Sequence, residues 1–190
     1  MRLTIGSKLF GATLAASASI WGVAAPSAHA IHLADATVSF EKPPRLINAT
    51  TTYNATYVWG ATYYFTLELP ENAGKPLQRV TINQRQGVDD IRFNLKDTRA
   101  FEGTPRHKGE KLTVKEVTKD PETQTISVTF DPPVMPGKTV TIGLRPVRNP
   151  WVSGVYIFGV TAFPESEKPY GLYLGVGRLH FYDNDRHFPL

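Results

Sequence analysis

Hydrophobic and polar residues alternate with a period of two along most of this chain. In residues 61–69 every odd position is apolar, and Tyr64 is the one large exception among the polar even positions. Because successive side chains of a strand point to opposite faces of a sheet, this pattern predicts a strand with one buried face. Tyr64 is then predicted to lie on the outward face.

The same alternation returns in several later segments, which are separated by turn sequences. The alternating segments are residues 80–82, 91–95, 112–117, 126–130 and 140–144. Turn-forming residues occupy 70–76, 120–123 and 131–137, and the second of these is short enough for a hairpin. No segment after residue 30 shows a helical period of 3.6 residues. We therefore predict an all-β chain of about eight or nine strands, folded as a single immunoglobulin-like antiparallel β-sandwich with Greek-key connections.

Two segments depart from the alternation. Residues 155–160 are apolar at nearly every position, which predicts a central strand that is covered on both faces. Residues 170–181 place Tyr170, Leu172, Leu174 and Val176 on one face, with glycines at positions 171, 175 and 177 on the other. Glycines on one face of a strand let another backbone or a ligand come close, or they mark a packed bend. We expect the packed bend.

The first thirty residues have the layout of a bacterial secretory signal. Arg2 and Lys8 precede an apolar run over residues 9–25, and small residues stand at Ala28 and Ala30, where a signal peptidase cleaves. We expect a signal peptide at 1–30, a β-sandwich domain at 31–182 and a polar tail at 183–190. The apolar run is short for a spanning helix, so no stable transmembrane span is expected after cleavage; an uncleaved anchor is the alternative. The periplasm, the extracellular space and the thylakoid lumen share this signal type.

Composition and charge exclude several classes of protein. The chain has no cysteine, so it has no disulfide scaffold, no thiolate zinc site and no cysteine nucleophile. Loss of Arg2 and Lys8 with the signal leaves 19 of 21 basic residues against 17 acidic ones, which reduces the formal charge from +4 to +2. Nucleic-acid binding needs a clustered basic stripe, and the sequence has none. We therefore expect no nucleic-acid partner.

Four stretches of the chain resemble a known family. They are residues 59–74, 80–87, 97–103 and 140–150. All four are similar to the cyanobacterial domain of unknown function 2808, and the resemblance covers about residues 32–183. It implies a secreted or periplasmic cyanobacterial protein. It implies no reaction, cofactor or site residue.

Exposed aromatic residues are the first candidate for a binding surface. Tyr57, Trp59, Tyr64 and Trp151 lie in or beside turns or on the polar face of a predicted strand. Tyrosine and tryptophan are amphipathic and lose little entropy when they bind, so they often contact sugars and protein partners. The alternative is that these rings cap the edge of the sandwich above a buried Tyr63.

Two sets of residues are candidates for a divalent metal site. The tail places His180, Asp183, Asp185 and His187 within eight residues, and imidazole with carboxylate suits zinc, copper or manganese. His32 becomes the second residue after cleavage at Ala30, where the free amine, an amide nitrogen and the imidazole could chelate Cu(II). The alternative for the tail is a frayed polar terminus.

The sequence contains no recognised catalytic motif. No serine stands in a nucleophile elbow, and there is no zinc-protease helix or phosphate-binding glycine loop. Asp89, Asp90 and Glu102 remain as carboxylates that could pair in space. We expect a non-catalytic exported domain that binds a protein or polysaccharide partner at the cell envelope. A periplasmic metal carrier and an envelope hydrolase are the alternatives.

Overall fold

Residues 37–183 are described in the computed structural model, and ten strands in this range form two five-stranded antiparallel sheets. The strands are β1 Arg45–Thr51, β2 Tyr63–Glu68, β3 Leu77–Gln86, β4 Arg99–Gly103, β5 Lys108–Leu112, β6 Val114–Lys119, β7 Thr125–Val134, β8 Thr139–Leu144, β9 Gly154–Pro164 and β10 Leu172–Phe181. The first sheet has the order β1-β2-β8-β4-β5, and the second has the order β10-β9-β3-β7-β6. The predicted immunoglobulin-like sandwich is confirmed.

The core lies between the inner faces of the two sheets. The odd positions of β2 point inward as predicted, and Tyr63, Phe65 and Leu67 are fully buried. Phe158 on β9 meets Tyr63 and Phe65 from the opposite sheet, with ring centroids 6.1 and 5.6 Å apart and the rings steeply inclined. Such edge-to-face contacts between large rings hold the two sheets in a fixed register.

The predicted strand at 91–95 is wrong, although the burial that it implied is present. Ile91 is buried, and Phe93 and Leu95 pack against the core, but only an isolated bridge joins Phe93 to Pro146. A short 3-10 helix follows at Leu95–Asp97. The segment connects β3 in one sheet to β4 in the other. Its backbone therefore joins neither ladder, while its apolar side chains still face inward.

The predicted strand at 112–117 is divided between the two sheets. β5 ends at Leu112 in the first sheet, and β6 begins at Val114 in the second. The chain thus changes sheets at Thr113, which raises the number of strands above the expected eight or nine. The predicted hairpin at 120–123 joins β6 to β7, and the Asp120 carboxylate accepts hydrogen bonds from Glu122 and Thr123.

β9 and β10 differ from the prediction on their outward faces. β9 lies between β10 and β3, as a central strand should, but Val155 on its outward face is 45% exposed. β10 contains a bulge between Tyr173 and Gly175, and this bulge reverses the alternation. Leu172 and Leu174 pack against the core, whereas Val176 faces outward, so these three do not share a face.

The expected packed bend is present in β10. Gly175 at the bulge has a φ of +110°, which is strained for a residue with a side chain. Gly177 is buried, and a Cβ atom there would lie 2.5 Å from the Cβ of Ala49 on β1. The absence of a side chain therefore lets the two sheets close at this edge of the sandwich.

Some predicted features lie outside the described residues. The signal peptide, His32, Asp185 and His187 are among them, and the domain bounds at 31–182 stay a prediction. Within residues 37–183, no helix has the length and apolar content needed to cross a membrane.

Candidate functional site

A groove of about 530 Å³ crosses the outward face of the first sheet, and Tyr64 lies in it. Tyr64 on β2 is paired with Gly143 on β8, and Gly143 is paired on its other side with Arg99 on β4. A Cβ at Gly143 would lie 3.0 Å from Cε1 of Tyr64, so the tyrosine ring rests over the glycine. It reaches toward Phe101 on β4, with ring centroids 6.1 Å apart. We call this surface the Tyr64 groove.

The Tyr64 groove is rich in cations. Its lining includes Arg99, Lys108, Lys111 and Arg145 but a single carboxylate, that of Asp97. Lys108 Nζ lies 5.4 Å from the centroid of the Phe101 ring and 5.8 Å from that of Tyr64. Such distances permit a cation–π attraction that holds the ammonium group over the two rings. The groove therefore combines aromatic surface with positive charge.

Buried hydroxyl groups fix the strands beside the groove. The hydroxyl groups of Thr66 on β2 and Thr141 on β8 are 3.0 Å apart, and Thr141 donates to the carbonyl oxygen of Gly103 on β4 at 2.6 Å. Both threonines are almost fully buried. Satisfied hydrogen bonds of this kind specify one arrangement of the three strands, so the groove is preformed.

The predicted aromatic residues other than Tyr64 lie in loops at one end of the sandwich. We call residues 53–59, 87–90 and 148–153 the end loops. The rings of Tyr57 and Trp151 are 4.4 Å apart, and the Arg148 guanidinium lies 4.1 Å from the centroid of Trp151. Trp59 is 66% exposed and directly precedes Gly60, which lines the Tyr64 groove. The structure thus brings Tyr57 to Trp151 and places Trp59 next to a groove residue.

A buried asparagine holds the end loops together. Asn149 is fully buried; its Nδ2 donates to the carbonyl oxygens of Tyr53 and Ala55, at 2.9 and 2.8 Å. Its Oδ1 accepts a hydrogen bond of 3.0 Å from the hydroxyl group of Tyr63. The Asp89 carboxylate supports the same loops, since it accepts from the backbone N–H groups of Trp151 and Val152. These bonds tie the loops to the core.

We expect the fold to lose stability above pH 10 because of Tyr63. Burial, assisted by the neighbouring Tyr156, raises the pKa of Tyr63 far above its usual value of about 10. Above that pH the unfolded chain loses a proton that the folded chain keeps. The stability present below pH 10 therefore falls as pH rises, by about 1.4 kcal/mol per pH unit for this group. Urea unfolding between about pH 9 and pH 11 measures the slope. An unchanged slope in Tyr63→Phe would show that Tyr63 is not the group responsible. Burial also raises the pKa of Tyr156, so we expect Tyr156 to account for the part of the slope that remains in Tyr63→Phe.

The candidate metal ligands form no cluster in the part of the chain that the structure describes. His180 and Asp183 are exposed near the end of β10. Among residues 37–183 there is no group of three or more histidine, aspartate or glutamate side chains placed to hold an ion. The metal site at His32, or with Asp185 and His187, stays a prediction.

Two of the three carboxylates considered for hydrolysis have structural partners. Asp89 accepts the two backbone hydrogen bonds of the end loops. Glu102 accepts a hydrogen bond of 2.9 Å from Lys138, and this bond raises the pKa of the lysine. Asp90 is exposed.

Sequence reasoning found one ring of the groove and missed the other residues. The alternation of residues 140–144, continued to position 145, places Gly143 and Arg145 on the polar face of the predicted strand. This alternation is the one sequence signal for these two residues. Phe101, Arg99 and Lys111 carry no local signal. Their position beside Tyr64 depends on the pairing of β4 with β8 and β5, which alternation alone does not give.

Comparison with known proteins finds one family. The family described as "Protein of unknown function (DUF2808)" matches residues 37–181. The search of curated proteins found no relative that matches the sequence.

Several solved structures are similar to this chain. The collagen-binding domain from a Staphylococcus aureus adhesin is 11% identical, with 70% of this chain and 95% of that chain covered and a TM-score of 0.35. The C-terminal domain of the Streptococcus pyogenes antigen I/II-family protein AspA is 15% identical, with 70% and 46% covered and a TM-score of 0.41. BslA, a bacterial hydrophobin, is 16% identical, with 75% and 100% covered and a TM-score of 0.39. These likenesses are too distant to indicate a function.

Proposed function

The chain belongs to the family of domain of unknown function 2808, and from the geometry of its surface we propose that it is a non-catalytic binding domain. The domain is exported by its N-terminal signal and holds a partner at the cell envelope in the Tyr64 groove. Family membership gives no activity, so the proposal rests on the sequence of residues 1–30 and on the groove.

The observation that carries the proposal is the composition of the groove. The Tyr64 ring covers Gly143, which is buried, and packs beside the buried ring of Phe101. Binding sites combine apolar and aromatic walls with a few polar groups that orient the ligand. The buried Thr66–Thr141 pair keeps these walls in place without a ligand, which lowers the entropy cost of binding.

The end loops hold the other aromatic residues that the sequence predicted for a binding surface. Trp151 already contacts the Tyr57 ring edge-on and the Arg148 guanidinium, although 51% of it is exposed. Trp59, which is 66% exposed, is the end-loop residue that we include in the proposed binding surface. A binding role for Tyr57 and Trp151 stays a prediction.

Replacing Tyr64 with alanine is expected to reduce retention of the purified chain on isolated cell envelopes by at least about tenfold. The substitution removes the ring that covers Gly143 and exposes the floor of the groove. Retention is measured as the bound fraction over a range of protein concentrations, with circular dichroism and thermal unfolding to confirm the fold.

Tyr173→Ala is the matched control for this experiment. Tyr173 is also an outward-facing tyrosine, 55% exposed, with the Arg85 guanidinium 5.8 Å from its ring, but it lies on the other sheet. Its removal should leave retention unchanged. Equal retention of wild type and Tyr64→Ala, or an equal loss in Tyr173→Ala, would refute the Tyr64 groove as the site.

A further inference from the structure

Positive charge is concentrated in the Tyr64 groove far beyond what the chain as a whole carries. Four cationic side chains and one carboxylate line it, whereas the chain without its first thirty residues has a formal charge of only +2. Among residues 37–183, only Arg145 of the four forms an ion pair, a long one of 3.9 Å to Asp97. Arg99, Lys108 and Lys111 have no carboxylate within ion-pair distance there. A cleft lined by one sign of charge attracts the opposite sign.

The floor of the groove restricts how a ligand can be recognised. β2, β8 and β4 each have a hydrogen-bonded neighbour on both sides within the first sheet. Their backbone N–H and C=O groups are therefore used by the sheet, and a peptide cannot be added to them as a further strand. A ligand in the Tyr64 groove must therefore be recognised by side chains, through ring contacts and charge.

From these two observations we infer that the occupant of the Tyr64 groove is an acidic polysaccharide, a glycan whose sugars carry carboxylate or sulfate groups. This inference rests on the proposed function and names the class of partner for the same site. The C–H face of a sugar ring packs on the half-buried ring of Tyr64, which is an amphipathic surface of the right size, while the buried ring of Phe101 packs beside Tyr64. Its acidic groups then meet Arg99, Lys108 and Lys111 at the rim of the groove.

Lys108 links the aromatic and the charged parts of the site. Its ammonium group lies within 6 Å of both ring centroids, at 5.4 and 5.8 Å. A sugar that stacks on Tyr64 thus brings a carboxylate on the same sugar within reach of this cation. A neutral glycan would offer no charge to Arg99, Lys108 and Lys111, which form no ion pair within residues 37–183.

The inference is tested by calorimetric titration of the purified chain with four defined polymers. These are polygalacturonate as the acidic glycan, dextran as the neutral glycan, polyglutamate as the acidic peptide and oligothymidylate as the nucleic acid. We expect binding to polygalacturonate that weakens as salt is raised, because exposed charge pairs are screened. Dextran, polyglutamate and oligothymidylate should bind at least about tenfold more weakly.

A double variant tests whether the lysines of the Tyr64 groove bind the acidic glycan. Lys108→Ala with Lys111→Ala should weaken binding of polygalacturonate by at least about tenfold, since it removes two of the four cationic side chains that line the groove. Lys42→Ala with Lys75→Ala removes the same formal charge from exposed positions outside the groove and should change affinity less than about twofold.

The outcomes separate this inference from the proposed function. Stronger binding of dextran, polyglutamate or oligothymidylate than of polygalacturonate, or no binding of any polymer, overturns the acidic polysaccharide. So does an equal loss in the two double variants. If envelope retention still depends on Tyr64 in those cases, the groove remains the binding site and only the class of partner is wrong.

Discussion

Replacing Asn149 with alanine is expected to lower the free energy of unfolding by about 3–5 kcal/mol. The side chain is fully buried and serves three partners, the carbonyl oxygens of Tyr53 and Ala55 and the hydroxyl group of Tyr63. Alanine takes this partner from the carbonyl oxygen of Ala55 and from the buried hydroxyl group of Tyr63, whereas the carbonyl oxygen of Tyr53 keeps a hydrogen bond of 2.8 Å from the Thr51 hydroxyl group. Each buried group left unsatisfied costs about 1–3 kcal/mol, and the space left by the amide adds to the loss. Chemical unfolding of the two proteins at neutral pH measures the difference.

Tyr63→Phe provides the comparison within the same network. It removes one hydroxyl group and leaves the bonds from Asn149 to Tyr53 and Ala55 in place. We expect a loss of about 1–2 kcal/mol, clearly smaller than that of Asn149→Ala. Equal losses in the two variants would show that the bonds to the end loops contribute nothing measurable.

The end loops should also become more mobile in Asn149→Ala. Tyr57 and Trp151 meet because their segments are joined at Asn149 and by the hydrogen bond from Tyr57 N to the carbonyl oxygen of Pro150. Faster amide exchange in residues 53–59 and 148–153, with β2 and β9 unaffected, is the expected signature. Uniform exchange across the chain would indicate a global effect instead.

Alternation identified the faces of the strands because it reports burial directly. Tyr63 and Tyr64 are neighbours of the same residue type, and the pattern assigned one to the core and the other to the outward face. The structure has Tyr63 fully buried and Tyr64 in the groove on the outward face. This part of the site follows from local sequence, since a strand places successive side chains on opposite faces.

Alternation does not report which strands are neighbours. Residues 91–95 alternate and face the core, yet they form a connection between sheets rather than a strand. Phe101 and Lys108 reach Tyr64 only because β8 lies between β2 and β4, and β5 follows β4. These contacts join residues far apart in the sequence, and strand order is set by the packing of the whole sandwich.

The glycines of β10 show how a single local feature can shift the pattern. Counting by two from Leu172 places Val176 inward and Gly177 outward. The bulge at Gly175 adds one residue to the strand, so the actual positions are reversed. A bulge reverses every later side chain of a strand, and here it turns Gly177 toward β1.

Replacing Gly177 with valine is expected to destabilise the fold by about 3 kcal/mol or more. Gly177 is buried opposite Phe158, and even a single added Cβ would lie 2.5 Å from the Cβ of Ala49 and 3.2 Å from the ring of Phe65. Valine adds two further methyl groups to this space. Because β1 and β10 form the edge where the sheets meet, one strand must move away from the other. Thermal unfolding of the variant measures the loss.

A double-mutant cycle separates crowding from other effects of the substitution. Gly177→Ala should destabilise the fold less than valine does, by about 1–3 kcal/mol. Adding Ala49→Gly should restore part of that stability, because it removes the Cβ of Ala49 that the new Cβ would contact. The rescue is partial because the Phe65 ring remains close. If the two substitutions are simply additive, the cost of filling position 177 does not arise from contact with β1. The close approach of the two sheets would then not be the reason for glycine at this position.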